Sequence, residues 1–596
     1  MAARIHFESA HTAIPSNNIT GNGTINQVAK FTGANVIGDG LITDDGTSVW
    51  NTGGGAVASN TAFGNSVLIT NTTGTNNAAF GLQALRDNTT GGLNSAIGVS
   101  ALQVNTTGVA NSAVGAGALS ANISGNANTA LGRSALQSNT ASNNTAVGYQ
   151  AGLSNTSGTL ITAIGYQSAR QNTTATSVTS VGYSTLRSNT TGNANSALGE
   201  SALFSNTTGG SNTAVGVNTL FANISGSFNT AFGRDALQNN TASNNTAVGY
   251  EAAYSNTSGV EVTAIGYQAL KSSTGSSNTG VGFQALLNNT TGSANTAIGI
   301  LSLEKSTSST GNVGVGQNAL RENISGASNV SVGVNSLRNN TASNNTAVGY
   351  EAAFSNTSGT QLTAIGYQAL RLSTGNFNTA VGFSSSKSIT TGIQNTSVGN
   401  NALANNTTSN FNTALGSVAL LSNATGNSNT AIGASSLNLN TASNNTAVGY
   451  ESAFSNTTGT GITAIGYQAL RLSTGVGNTA VGNLALTANT TAIYNVALGD
   501  LTLRDNTTGS NNTVIGRAAF DVNTTGANNT AVGRNAQSGN FSGSTILGKD
   551  ATATADNQFV VGSVGTVAGA VTVTAAPQAK VWNVVINGVN EQILLA

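Results

Sequence analysis

The chain has no cysteine, and charged residues make up only 6% of its 596 residues. The absence of cysteine excludes disulfide bonds and thiolate metal sites. The 19 basic and 19 acidic side chains sum to zero charge and form no basic run, so we expect no nucleic-acid partner. No run of about 18 apolar residues is present, and we therefore expect no membrane insertion. With only two prolines and 38% hydrophobic residues, the chain is nevertheless expected to fold.

Groups suited to catalysis or metal binding are equally scarce. The two histidines, His6 and His11, have no clustered carboxylates beside them, so neither a metal site nor a cofactor is predicted. Asp44 and Asp45 lie in a glycine-flanked turn, which we interpret as a solvated turn rather than a cation site. No Ser/His/Asp or paired-carboxylate arrangement recurs in a context that catalysis would need. We therefore expect that the protein is not an enzyme.

Glycine, by contrast, is abundant and periodic. Of the 74 glycines, one ends each copy of a motif close to Asn-Thr-Ala-Val-Gly, and this motif glycine recurs at intervals of almost always 16 or 17 residues from Gly64 to Gly548. A repeat this short suits one coil of a β-solenoid, since helical repeats need about 33 residues. The sequence therefore predicts an all-β fold, a parallel β-solenoid or β-roll with coils of about 16–17 residues.

A second period lies on top of the first. The string NTASNNTAVGY begins at Asn139, Asn240, Asn340 and Asn440, so a cassette of six coils is duplicated. We predict three regions: an N-terminal attachment region at 1–57, the tandem solenoid at 58–548 and a C-terminal β-domain at 549–596. In the last region, Asn587-Gly588 is a predicted hairpin turn between Val581–Ile586 and the segment from Val589.

Each position of the coil carries a preferred residue type. The apolar residue just before the motif glycine, such as Val147 or Ile164, is expected to form the inner column of the core. A second apolar column is expected four residues after the glycine, as at Leu136. The alanine two residues before the glycine suggests a surface that another backbone approaches closely.

Asparagine four residues before the glycine, as at Asn144, predicts a ladder of stacked amides along the coils. This ladder is interrupted at a regular interval by an apolar residue, at Ile161, Val262, Leu362 and Ile462.

The tandem motif resembles the head repeats of trimeric autotransporter adhesins. The resemblance covers roughly residues 58 to 548, and it implies a left-handed β-roll associated as a homotrimeric fibre. The segment Gly21 to Trp50 is similar to segments that precede such repeats in bacteriophage tail fibres. The N-terminus lacks the apolar core of a secretory signal peptide. We therefore expect a virion appendage rather than a surface-anchored adhesin.

Tyrosines follow the motif glycine in adjacent coils, so their rings are expected to stack. We interpret them as contacts between chains or, alternatively, with a host receptor such as a glycan, because aromatic rings serve both roles. The candidates are Tyr149, Tyr166, Tyr250, Tyr267, Tyr350, Tyr367, Tyr450 and Tyr467.

The leading functional hypothesis is a tail fibre of a phage or similar virion, acting as a stiff spacer and in host-surface attachment. Its expected partners are copies of itself, a virion or tail component at the N-terminal region and a host-surface receptor. The alternative is an extracellular adhesin or matrix fibre that is not anchored to the cell. Ice binding is a third hypothesis, weakened because many threonines belong to Asn-Thr turns.

Overall fold

The computed structural model describes residues 27–33, 36–44, 49–51, 57, 59–562, 581–586 and 589–594, with side chains for 57 and 59–562. Within these residues the secondary structure is entirely β, with no helix. The chain divides into two units, Met1–Gly292 and Ser293–Ala596. His6, His11, Asp45 and the Asn587-Gly588 turn lie outside the described residues.

The first unit opens with a small antiparallel sheet. Its strands are β1 (Gln27–Gly33), β2 (Val36–Asp44) and β3 (Val49–Asn51), in that order. A ladder of fourteen three-residue parallel strands follows. These strands are β4 (Thr61–Phe63), β5 (Ala78–Phe80), β6 (Ser95–Ile97), β7 (Ser112–Val114), β8 (Thr129–Leu131), β9 (Thr145–Val147), β10 (Thr162–Ile164), β11 (Thr179–Val181), β12 (Ser196–Leu198), β13 (Thr213–Val215), β14 (Thr230–Phe232), β15 (Thr246–Val248), β16 (Thr263–Ile265) and β17 (Thr279–Val281).

The second unit contains seventeen strands of the same kind and a hairpin. The parallel strands are β18 (Thr296–Ile298), β19 (Val313–Val315), β20 (Val330–Val332), β21 (Thr346–Val348), β22 (Thr363–Ile365), β23 (Thr379–Val381), β24 (Thr396–Val398), β25 (Thr413–Leu415), β26 (Thr430–Ile432), β27 (Thr446–Val448), β28 (Thr463–Ile465), β29 (Thr479–Val481), β30 (Val496–Leu498), β31 (Thr513–Ile515), β32 (Thr530–Val532), β33 (Thr545–Leu547) and β34 (Phe559–Val561). The hairpin pairs β35 (Val581–Ile586) with β36 (Val589–Leu594) in antiparallel register.

The register of the ladders is residue for residue. Ala163, for example, pairs with Ala146 on one side and with Ser180 on the other. Equivalent positions of consecutive coils therefore form straight columns of side chains. The predicted all-β parallel solenoid is confirmed. In the second unit, β34 adds a strand beyond residue 548, where the predicted repeats end. The division at 57 and 548 into functional regions stays a prediction.

The core contradicts two predictions: the residue before the motif glycine is not the inner one, and the alanine two residues before the glycine does not lie at a surface. The residue before the motif glycine points outward: Ile164 is 38% exposed, whereas Ala163 beside it is fully buried. Neighbouring strand residues face opposite sides, so the middle residue of each three-residue strand must be the inner one. We call the middle residues, mostly alanine, the alanine column, and the outward residues before the glycine the aliphatic column.

The buried leucine column explains why the inner strand position carries a small side chain. The predicted column four residues after the glycine is confirmed, since Leu136, Leu203 and Leu270 are fully buried. At Gly280, which occupies the alanine column, an added Cβ would lie 3.1 Å from Leu270. The leucines therefore fill the space opposite the strand, and a small side chain occupies the strand position in most coils. Val514 and Ile546 are larger exceptions, and both are fully buried.

The motif glycine has two reasons to be glycine. Gly98 has φ of 135°, a conformation that side-chain-bearing residues rarely adopt. A Cβ on Gly98 would also lie 2.7 Å from the carbonyl oxygen of Gly115 in the next coil. Backbone conformation and stacking thus both demand glycine.

Candidate contact surfaces of the coils

The predicted asparagine ladder runs through the interior of the coils. Asn128 is fully buried. Its backbone N–H donates to Oδ1 of Asn111 in the preceding coil over 3.0 Å, and its Nδ2 donates to the carbonyl of Ala141 over 2.8 Å. Each amide therefore links three segments of backbone, which satisfies polar groups that a narrow core cannot expose to water.

A second asparagine ladder was not predicted. It lies seven residues after the motif glycine, where Asn105 donates from Nδ2 to Oδ1 of Asn88 over 2.8 Å and to the carbonyl of Gly108 over 3.0 Å. In the sequence these asparagines open the Asn-Thr-Thr-Gly segments, which we interpreted as turns. Their constant distance from the motif glycine was the signal that could have identified them.

The aliphatic column forms a continuous outward row in each unit. Every strand from β4 to β34 ends on Val, Ile, Leu or Phe. These side chains are half-buried or exposed, and Leu198 reaches 51% exposure. An exposed apolar row of this length is typical of an interaction surface.

Next to this row, one residue after the glycine, lies the aromatic column. Tyr149, Tyr166 and Tyr183 stack with ring centroids 5.3 and 5.1 Å apart, and all three are exposed. The predicted stacking of adjacent tyrosines is confirmed in all four cassettes. The other stacks are Tyr250–Tyr267–Phe283, Tyr350–Tyr367–Phe383 and Tyr450–Tyr467. Phe283 and Phe383 extend two of the stacks and were not among the predicted residues.

The stacked geometry limits what the rings can bind. Both faces of Tyr166 are covered by its neighbours, which lie nearly parallel to it at interplanar angles of 14° and 7°. A pyranose packs its apolar face on a free ring face, and such a face remains only at the two ends of a stack. The exposed edges favour the inter-chain interpretation over a sugar site at each ring.

Charged side chains are confined to four positions of the coil. Within residues 59–562, every Lys, Arg, Asp and Glu except Glu261 and Asp556 lies one, two, five or six residues after the motif glycine. The first of these positions is the aromatic column, and we call the other three the charged face. The aliphatic column carries no charge, so the charged face is the side suited to water and the aliphatic column to burial.

Within the charged face, one ion-pair cluster recurs in three cassettes. Glu451 accepts hydrogen bonds from Arg471 over 2.7 Å and from Gln468 over 2.8 Å. The Arg471 bond is the main reason that the pKa of Glu451 is lowered, although burial opposes it. The equivalent pairs are Lys271–Glu251 and Arg371–Glu351, both at 2.7 Å.

Hydrogen bonding from the phenol of Tyr450 to Glu451 raises the pKa of that tyrosine. The same relationship links Tyr250 to Glu251 and Tyr350 to Glu351. The aromatic column and the charged face therefore meet at these carboxylates.

Other kinds of site are not found in the described part of the chain. None of its His, Asp and Glu residues form a group of three or more that could hold a metal ion. None of its segments is a helix able to cross a membrane. Comparison with protein-family models finds no match, and comparison with curated proteins finds none either.

Proposed function

We propose that the protein is a structural fibre of a phage tail or similar virion appendage, assembled as a homotrimer along its aliphatic columns. The solenoid acts as a stiff spacer. The N-terminal region attaches to the particle, and the fibre contacts a host-surface receptor. The observation that carries the proposal is the uniform, uncharged aliphatic column along the parallel ladder of each unit.

The column supports self-association for an energetic reason. Ile164 and Ile265 each leave nearly two fifths of their surface in water. At about 25 cal/mol per Å² of apolar area, covering the exposed part of such a side chain is worth roughly 1 kcal/mol. Repeated at every strand, this gain far exceeds what a single exposed residue offers.

A second copy is the partner that fits best. The outward apolar side chains repeat with the spacing of the coils, about 4.8 Å, so a partner must present apolar groups with the same spacing. Another copy of this chain does so by construction. The trimeric number rests on the resemblance to adhesin head repeats.

Sedimentation equilibrium of the full chain tests the assembly. Three chains of 58.9 kDa give an expected mass of about 177 kDa. Ile164→Asp, Leu198→Asp and Phe232→Asp, combined, are expected to reduce the mass to that of a monomer. The matched control places aspartates on the same coils at exposed Ser177, Ser211 and Asn244, and it should leave the mass unchanged.

A monomeric wild-type protein would overturn the trimer, and an unchanged mass for the first variant would overturn the role of the aliphatic column. Immunoelectron microscopy separates the two biological settings. Label on purified virions supports the tail fibre, whereas label only on uninfected cells would replace it with the extracellular adhesin or matrix fibre.

A further inference from the structure

We propose that Arg170 and Arg187 form an oxyanion-binding clamp on the charged face of the first cassette, which takes a phosphate group. Both lie five residues after a motif glycine in consecutive coils, whose backbones are linked by the hydrogen bond from Gln171 N to Arg187 O at 2.9 Å. The inference goes beyond the fibre proposal, because it needs only that the charged face remain open to solvent.

The clamp is distinguished by two cations on consecutive coils that both lack a carboxylate partner among the described residues. Arg170 donates from Nε to the neutral side chain of Gln150 over 3.1 Å. Neither Arg170 nor Arg187 forms an ion pair with a described residue; the ten ion pairs found there involve other cations. Glu200, in the following coil, belongs to the aromatic column and pairs with neither.

Arg187 also has an unused donor. Its guanidinium carbon lies 5.4 Å from the ring centroid of Phe204, so the ring holds one side of the group. Its Nε is buried and has no hydrogen-bond partner among the described residues. Arg338 has the same ring contact and the same unpartnered Nε, but its neighbour Arg321 in the preceding coil is paired with Glu304. The ring orients the guanidinium group, and planar guanidinium groups match the paired oxygens of phosphate.

The other cassettes provide internal comparisons. Where the first cassette has Gln150, Arg170 and Arg187, the second has Glu251, Lys271 and Leu287, so its cation is neutralised and its second cation is missing. The fourth cassette has Glu451, Arg471 and Thr487, with the same result. The third keeps its ion pair and adds Lys387.

Two cations on consecutive coils repel each other. The other cassettes supply a carboxylate to at least one of their cations, whereas the first cassette supplies none to Arg170 or Arg187. Since the coils are about 4.8 Å apart, one phosphate group between them has oxygens for both guanidinium groups. Binding would remove the repulsion.

Titration calorimetry of the full chain with inorganic pyrophosphate at low ionic strength tests the clamp. Arg187→Leu and Gln150→Glu each install the residue of the second cassette, so the coil is expected to fold, and each should weaken binding at least tenfold. The control Arg471→Leu removes a cation from a closed ion pair and should leave the affinity unchanged. The double variant Glu251→Gln, Leu287→Arg should add a second site of similar affinity.

Long-chain polyphosphate in place of pyrophosphate distinguishes a polymer ligand from a free ion. If the clamp serves a phosphate-bearing polymer, the polymer should bind more tightly per site with the same dependence on Arg187 and Gln150. Absence of pyrophosphate and polyphosphate binding, or binding that survives both Arg187→Leu and Gln150→Glu, would overturn the clamp. A monomeric chain that still binds would leave the clamp standing and overturn only the trimer.

Discussion

The backbone N–H of Ile161 donates a 3.0 Å hydrogen bond to Oδ1 of Asn144, one coil earlier. Ile161 interrupts the asparagine ladder, but it still uses the amide oxygen that the preceding asparagine presents. The amide oxygen of Asn144 therefore keeps its hydrogen bond at the interruption.

Asn144 should thus be among the most costly asparagines to remove. Its Nδ2 also donates to Oδ1 of Asn139 and to the carbonyl of Gly158, both over 2.9 Å. Asn144→Ala leaves several buried groups unpaired, and we expect a loss of about 3 kcal/mol in the free energy of unfolding. Denaturant unfolding measures it, with Ser157→Ala on the exposed surface as a control expected near zero. Equal losses in the two variants would contradict the ladder's role.

A motif glycine and a glycine with open space around it are expected to respond differently to substitution by alanine. Gly499→Ala combines φ of 138° with a Cβ only 2.6 Å from the carbonyl oxygen of Gly516, and we expect it to cost about 3 kcal/mol or more. Gly461 also has positive φ, at 67°, but a Cβ there meets nothing within 4 Å. Gly461→Ala should therefore cost only about 1 kcal/mol. Thermal unfolding distinguishes them, and similar melting temperatures would refute the overlap argument.

The middle ring of an aromatic stack should matter more than an end ring. Tyr166→Ala removes two stacked contacts, at 5.3 and 5.1 Å, whereas Tyr149→Ala removes one. At about 0.5–1.5 kcal/mol for each contact, Tyr166→Ala is expected to lower stability by about twice as much. Chemical unfolding with near-ultraviolet circular dichroism follows the effect. A larger loss for Tyr149→Ala would show that its partner lies outside the stack.

Acid should weaken the ion-pair clusters. The pKa of Glu451 is lowered in the folded state, chiefly by Arg471. A carboxylate with a depressed folded pKa adds stability above its unfolded pKa and loses it as the pH falls through the folded value. Because Arg471 is 37% exposed, solvent screening keeps the contribution below about 1 kcal/mol.

Unfolding of Glu451→Gln should therefore depend less on pH between about pH 5 and 3 than unfolding of the wild type. The substitution reproduces the neutral residue of the first cassette, Gln150, so the coil is expected to tolerate it. An identical pH dependence in both proteins would show that Glu451 contributes nothing.

The period of the motif glycine was enough to predict the parallel solenoid, because repeats of equal length stack equivalent residues whatever those residues are. The stacked tyrosines and the first asparagine ladder followed from the same argument. The second asparagine ladder could have been predicted from the same spacing. Its asparagines also suit turns, however, and residue type alone does not distinguish a turn from a ladder.

The sequence by itself determined which residues stack on one another in this protein, since stacking depends only on the repeat length. The tertiary structure alone decided which columns face inward. The larger side chain of Ile164 suggested a core position, yet it lies outside and Ala163 inside. The reason is that buried leucines fill the narrow coil opposite the strand, and the alternation of three strand residues then turns both end residues outward.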